Sequence, residues 1–163
     1  MFVHKILIMG LPGSGKTTLA SALARKLSAV HFNADEVRKE INSHLGFLHE
    51  DRVAQARTMG WLCDVVLRSG HYAVADFVCP TEETRNAFGA KDSYFMVWVD
   101  RITESRFADT NRIFMPPQNY DCRVTAGGSV DYWVKQITSM LVMSYPSLPK
   151  GTNSNKGRQN NIG

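Results

Sequence analysis

An apolar run, a glycine-rich turn and an amphipathic helix open this chain in that order, and no other feature constrains its fold as much. Ile6 to Met9 suit a buried strand, and Gly10-Leu11-Pro12-Gly13-Ser14-Gly15-Lys16-Thr17 follows directly. This segment matches the pattern G-x-x-x-x-G-K-[ST]. Thr18 to Leu27 then repeats apolar residues at helical spacing through Leu19, Ala22 or Leu23, and Leu27. Glycines let backbone N–H groups close around an anion, and the helix start adds the positive end of its dipole. A chance glycine-rich turn would not need a strand before it and a helix after it. Gly10, Leu11, Pro12, Gly13, Ser14, Gly15, Lys16, Thr17 and Thr18 are therefore expected to cradle a nucleoside triphosphate. In such a loop Lys16 reaches the β- and γ-phosphates, and the Thr17 hydroxyl serves Mg²⁺.

The rest of the chain predicts alternating strands and helices. Strands are expected at Val30-His31-Phe32, Tyr72 to Ala75, Phe95 to Val99 and Arg123 to Thr125. Helices are expected at Glu36 to Ser43, Glu50 to Arg68, Thr81 to Phe88, Arg101 to Ala108, and from a Ser129 cap to Met143, with a loop from Thr110 to Tyr120. The long helix carries an apolar stripe of Val53, Ala56, Gly60, Cys63 and Leu67. Continuous apolar strands separated by helices imply a parallel sheet covered on both faces. The expected architecture is an α/β P-loop NTPase fold: five parallel strands with the first in the centre and helices on both faces.

A chain of 163 residues is one domain, here expected to run from residue 1 to 149. The net charge of +4 invites a nucleic-acid reading, but its distribution opposes one. Lys150, Lys156 and Arg158 fall in a tail without acidic residues, and removing three from +4 leaves +1. That tail, 150–163, is rich in Gly, Asn and Ser and is expected to be disordered. No apolar stretch approaches ~18 residues, so no membrane span is expected. Met1 to Lys5 leads straight into the first strand, so no signal peptide and a cytoplasmic location are expected. Cys63, Cys79 and Cys122 are odd in number and unpaired in spacing, which suits reduced thiols rather than a metal cluster.

A second segment narrows the chemistry. In Asn33-Ala34-Asp35-Glu36-Val37-Arg38 a carboxylate stands at the end of the second strand, where open α/β sheets place their ligands. Asp35 is suited to orient or deprotonate an acceptor hydroxyl facing the γ-phosphate, and Arg38, nearly one helical turn on, to hold an anionic acceptor. The plain alternative is that Asp35 only caps a helix.

At this point the chain resembles the adenylyl-sulfate kinase (APS kinase) family from Gly10 to about Val99. That family shows a G-x-x-G-S-G-K-[ST]-T loop, then D-G-D-N-V-R, L-N-x-D-L-G-F and D-R-x-E-N-I-R-R. Here the matching stretches are Asn33 to Arg38, Ile41-Asn42-Ser43-His44-Leu45-Gly46-Phe47 and Asp51 to Arg57, with Phe77-Val78-Cys79-Pro80 at an F-I-S-P-like position. The resemblance implies transfer of the ATP γ-phosphoryl group to the 3′-hydroxyl of adenylyl sulfate. It assigns catalytic roles to Lys16 and Asp35. It implies that Asp35, Arg38, Asn42, Arg52 and Gln55 hold the acceptor's phosphosulfate and ribose, and that Phe47 stacks on its adenine. Arg52 and Gln55 lie three apart on the long helix and share one edge. The alternative for Phe47 is a ring sealing the core.

The sequence also departs from the family. Asn33 stands for the first Asp of D-G-D, Glu36 for the Asn that follows, and Ala54-Gln55 for Glu-Asn. The basic lid is shortened, leaving Arg106, Arg112 and Phe114, with Arg123 as a further cation. Asp76 occupies a position where the family has a small uncharged residue, and is expected to join Thr17 in ordering Mg²⁺ through water. Two other readings stay open: a kinase of another nucleotide or of a nucleic-acid 5′-hydroxyl, and a nucleotide-binding module with weak turnover. The expected ligands are ATP, Mg²⁺ and a small nucleotide acceptor. A homodimer is compatible with the sequence.

Overall fold

The computed structural model describes residues 5–144. Five strands form one parallel sheet: β1 (Lys5–Met9), β2 (Val30–Asn33), β3 (Ala73–Phe77), β4 (Phe95–Val99) and β5 (Cys122–Val124). Their spatial order is β2-β3-β1-β4-β5, with β1 central as the sequence predicts. The helices are α1 (Lys16–Leu27), α2 (Ala34–Glu40), α3 (His49–Arg68), α4 (Glu82–Phe88), α5 (Ala108–Ile113) and α6 (Val130–Ser144).

Alternation along the central strands divides the core in two. Ile6, Ile8 and Val74 meet Leu19, Leu23, Ile137 and Leu141 of α1 and α6. Leu7, Met9, Ala73, Ala75 and Phe77 face the other way, onto Ala56, Met59 and Cys63 of α3 and Phe88 of α4. Gly60 lets α3 lie against the end of α4, since a Cβ there would stand 2.1 Å from the Phe88 carbonyl oxygen. The buried Lys5 ammonium closes this junction, donating to Phe88 O at 2.7 Å, Gly60 O at 3.2 Å and Asp64 Oδ1 at 2.8 Å.

The chain leaves β1 for β2 on one side of the sheet and reaches β4 on the other. The crevice at the C-terminal end of β1 is therefore a topological switch point, the place where such sheets receive ligands.

Local chemistry explains where elements start. Thr81 and Thr84 form a reciprocal capping box at α4, and the Ser129 hydroxyl accepts from the Tyr132 N–H at the start of α6. The cap of α2 is Asn33, whose Oδ1 accepts from the N–H groups of Asp35 and Glu36. Asp35 is thus not the cap.

One expected helix is absent. Residues 101–107 are irregular and the helix lies at Ala108–Ile113, sharing only Ala108 with the expected helix and running into the stretch the sequence reads as a loop. Asn111 accounts for this: its Oδ1 accepts from the Ser105 N–H and hydroxyl, and its Nδ2 donates to Ser105 O. The Ser105 hydroxyl also accepts from the Phe107 N–H. These side-chain bonds hold the backbone in a turn that competes with a helix. Among the described residues no helix is long and apolar enough to cross a membrane. The expected disordered tail lies outside the described residues.

Candidate active site

The loop between β1 and α1 forms the floor of the site. A Cβ at Gly10 would stand 2.4 Å from Val99 O, so only glycine lets the loop pass the end of β4. Gly15 adopts the left-handed conformation at the start of α1 and supplies no side-chain cap, which leaves the first-turn N–H groups for a ligand. The Ser14 hydroxyl is buried without a hydrogen-bond partner among the described residues, a further unspent polar group in the loop. Lys16 is 8% exposed and its ammonium folds back to donate to Leu11 O at 2.9 Å. Burial pushes its pKa down to about 8, against the pull of Asp76 and then Asp35. A largely desolvated cation beside the first-turn N–H groups of α1 is suited to a polyphosphate.

Beside it lies a buried polar cluster. Asp76, 2% exposed, accepts from the Thr17 hydroxyl at 2.9 Å and from Asn33 Nδ2 at 3.1 and 3.3 Å. His31 Nε2 lies 2.5 Å from the remaining side of the carboxylate. Asn33 Nδ2 is also 3.2 Å from the Thr17 oxygen. Among the described residues no three His, Cys, Asp or Glu side chains gather as a metal cage. One hydroxyl and one carboxylate fit a hydrated Mg²⁺ shared with phosphate oxygens, since this ion retains several waters.

A cleft of about 770 Å³ opens over these groups, within the range of small-molecule sites. Lys16, Thr17, Asp35, Arg38, Phe47, Arg52, Gln55 and Asp76 all border it, so it gathers most of the residues singled out in the sequence. The Asp35 carboxylate has no hydrogen-bond partner among the described residues. Asn33 has taken over the cap and left Asp35 facing the cleft. Phe47 is 63% exposed, which rules out the core-sealing alternative.

Two arginines flank Phe47. Arg38 lies 4.5 Å from the ring centroid and donates to Gly46 O at 2.7 Å and Leu45 O at 3.2 Å. Arg52 lies 5.6 Å from it, donates from Nε to Phe47 O at 2.9 Å and from Nη2 to Thr110 Oγ1 at 3.3 Å, and has Asp109 at 3.8 Å. Burial lowers the pKa of both, and Arg52 lowers that of Arg38 further. Two partly dehydrated cations that repel each other gain from an anion placed between them.

Gln55 and Asn42 behave differently from the other acceptor candidates. Gln55 is buried, and its Nε2 donates to Ala34 O. Asn42 does not border the cleft: its Nδ2 donates to Gln55 Oε1 at 2.8 Å and to Thr58 Oγ1 at 3.0 Å, so it fixes Gln55 from behind.

Of the lid residues only Arg106 borders the cleft, with its guanidinium 4.9 Å from the Phe107 ring centroid. Arg112 is exposed on α5, away from the lining, and Phe114 packs against the core under α3 and α4. Arg123 is bound to Asp100 across the β4–β5 edge. Phe107, Glu104 and Asp109, which the sequence reading passes over, line the lid side instead.

Residues 3–115 match the adenylylsulphate kinase family. The chain belongs to that family. An adenylyl-sulfate kinase of Clostridium kluyveri is 31% identical over 144 residues, covering 82% of this chain and 71% of that protein. One of Oceanobacillus iheyensis is 34% identical over 107 residues, 59% of this chain and 54% of that protein. The chain spans about half the length of most of the curated adenylyl-sulfate kinases it matches. The fold is also that of the Mycobacterium tuberculosis APS kinase solved with AMPPNP and APS, with a TM-score of 0.76 at 23% identity over 84% of this chain and 96% of that one.

Proposed function

We propose that this chain transfers the γ-phosphoryl group of ATP to the 3′-hydroxyl of adenylyl sulfate. The observation that carries this reading is the arrangement across one cleft. An exposed phenylalanine with two anchored arginines beside its ring shares the cleft with the phosphate loop, and Asp35 borders the same space. An aromatic face and two guanidiniums suit an acceptor that combines a purine with a phosphate–sulfate group.

The loop N–H groups and Lys16 bind the triphosphate and neutralise charge that builds on the transferred group. The Thr17 hydroxyl, and Asp76 through water, would hold Mg²⁺, which would supply further charge neutralisation for the transferred group. Asp35 orients the acceptor hydroxyl and receives its proton. Arg38 and Arg52 fix the acceptor, while Gln55, itself fixed by Asn42, borders the same pocket. Arg106 brings the lid's one cleft-facing cation. The M. tuberculosis relative, solved with a nucleoside triphosphate analogue and APS together, supports a site for two nucleotides.

One observation favours a second reading. Glu104 and Asp109 place carboxylates on the lid side of the cleft, which suits an acceptor hydroxyl on a less anionic molecule. Purified protein with Mg-ATP should be offered adenylyl sulfate, AMP, nucleosides and 5′-hydroxyl oligonucleotides separately. Preferential turnover of adenylyl sulfate supports the first reading, and turnover of another acceptor alone selects the second.

A further inference from the structure

We infer that His31 is a positioning residue for the cation-ordering carboxylate of Asp76 on β3. The inference rests on the Mg-ATP half of the proposed reading and is independent of which acceptor is used.

Asn33 and Asp76 are direct register partners on the neighbouring parallel strands β2 and β3. This chain has an amide at 33 and the carboxylate at 76. Both side chains reach Thr17, the carboxylate from β3 and the amide from β2. A carboxylate on β3 is more deeply enclosed than one at a strand end, and burying it is costly unless donors satisfy both oxygens. Three side chains do so. Oδ1 accepts from Thr17 and Asn33, and Oδ2 from His31 with a longer bond from Asn33 at 3.3 Å.

His31 reaches Asp76 because positions 31 and 33 share one face of β2. Position 31 pairs with Val74, so the imidazole extends along β3 toward residue 76. Removing it would leave Oδ2 with only the 3.3 Å contact and free the carboxylate to turn, taking Oδ1 away from Thr17. The hydrogen bond from Thr17 to Oδ1 directs the hydroxyl proton away from the cation side and leaves oxygen lone pairs for the ion. Outer-shell partners of this kind tune the metal affinity of the groups they orient.

The test measures binding of a non-hydrolysable ATP analogue by calorimetry, with and without Mg²⁺ and with no acceptor. His31→Ala should weaken the Mg²⁺-dependent part of the affinity by about tenfold and leave the Mg²⁺-free affinity unchanged. His31→Gln, which retains an N–H donor, should recover most of that loss and also serves if His31→Ala folds poorly. Asp76→Asn should lose the Mg²⁺ dependence, and combining it with Asn33→Asp should restore much of it. In that exchanged background, His31→Ala should cost far less than in the native one. Equal weakening with and without Mg²⁺, an unchanged Mg²⁺ dependence in His31→Ala, or the same His31 effect in both backgrounds would overturn the inference. Intact Mg²⁺-dependent binding with no transfer to adenylyl sulfate would count against the acceptor assignment alone.

Discussion

On the phosphate-loop wall of the cleft, Lys16 and Asp76 are buried, and the functional groups are held by hydrogen bonds to the loop and to one another. Lys16 is tied to the loop's own carbonyl, Thr17 and Asn33 to Asp76, and the whole sits on the central strands. The opposite wall combines Arg38 and Arg52, carried by α2 and α3, with side chains on connecting segments. Phe47 stands out from the stretch between α2 and α3, the two arginines are anchored by backbone carbonyls and Thr110, and Arg106 and Phe107 ride on an irregular turn. The first wall is preorganised for one kind of ligand, a polyphosphate. The second can change its chemistry residue by residue without disturbing the sheet, which is how a shared phosphate site comes to serve different acceptors.

If the walls divide labour in this way, the largest losses should come from the first. Lys16→Ala should lower kcat by about a thousandfold with the fold retained, as expected when a preorganised charge facing the transition state is removed. Near-native turnover in a well-folded Lys16→Ala protein would break the loop assignment. Asp35→Asn, which keeps shape and removes the base, should lower kcat by about a hundredfold with ATP affinity unchanged. Because Asn33 caps α2, its melting temperature should stay close to native; a stability loss without a rate loss would make Asp35 structural.

The second wall should respond in KM rather than kcat. Arg52→Lys removes paired hydrogen bonds that a point charge does not reproduce, and should raise the acceptor KM by about tenfold while sparing ATP. Phe47→Ala should act in the same direction, by about 1–3 kcal/mol of lost stacking. Parallel rises in both KM values would show that the walls are not separable.

The smallest effect is a pH dependence confined to the first wall. Burial holds Lys16 near 8, and a neutral lysine must take up a proton to meet a triphosphate. ATP affinity should therefore be flat below that pH and fall as pH rises through it, by about threefold from about pH 7.5 to 8.5. Calorimetry across that range should show the slope in native protein and none in Lys16→Met.

The same division governs what the sequence reveals. The loop of the first wall is contiguous, so Gly10 to Thr17 and the strand–loop–helix order can be read along the chain, and the five strands with them. Asp35, Arg38 and Arg52 are legible because each sits at a fixed offset from a strand or helix end. His31 is not, because its meaning depends on pairing with Asp76, 45 residues away. Asn42 carries a binding-type side chain but spends it on Gln55, which no spacing along the chain discloses. The lid misleads for a local reason: Asn111 reaches back to Ser105 and replaces an expected helix with a turn, so Phe107 emerges where the sequence suggests Arg112 and Phe114.

The most direct measurement is a single-turnover reaction of γ-³²P-labelled ATP with adenylyl sulfate and excess protein, with the labelled product's attachment site located by NMR. The account predicts label on the 3′-hydroxyl of adenylyl sulfate, formed by native protein and strongly slowed in Asp35→Asn. Label appearing only in inorganic phosphate, or on a different acceptor while adenylyl sulfate stays unlabelled, would contradict it.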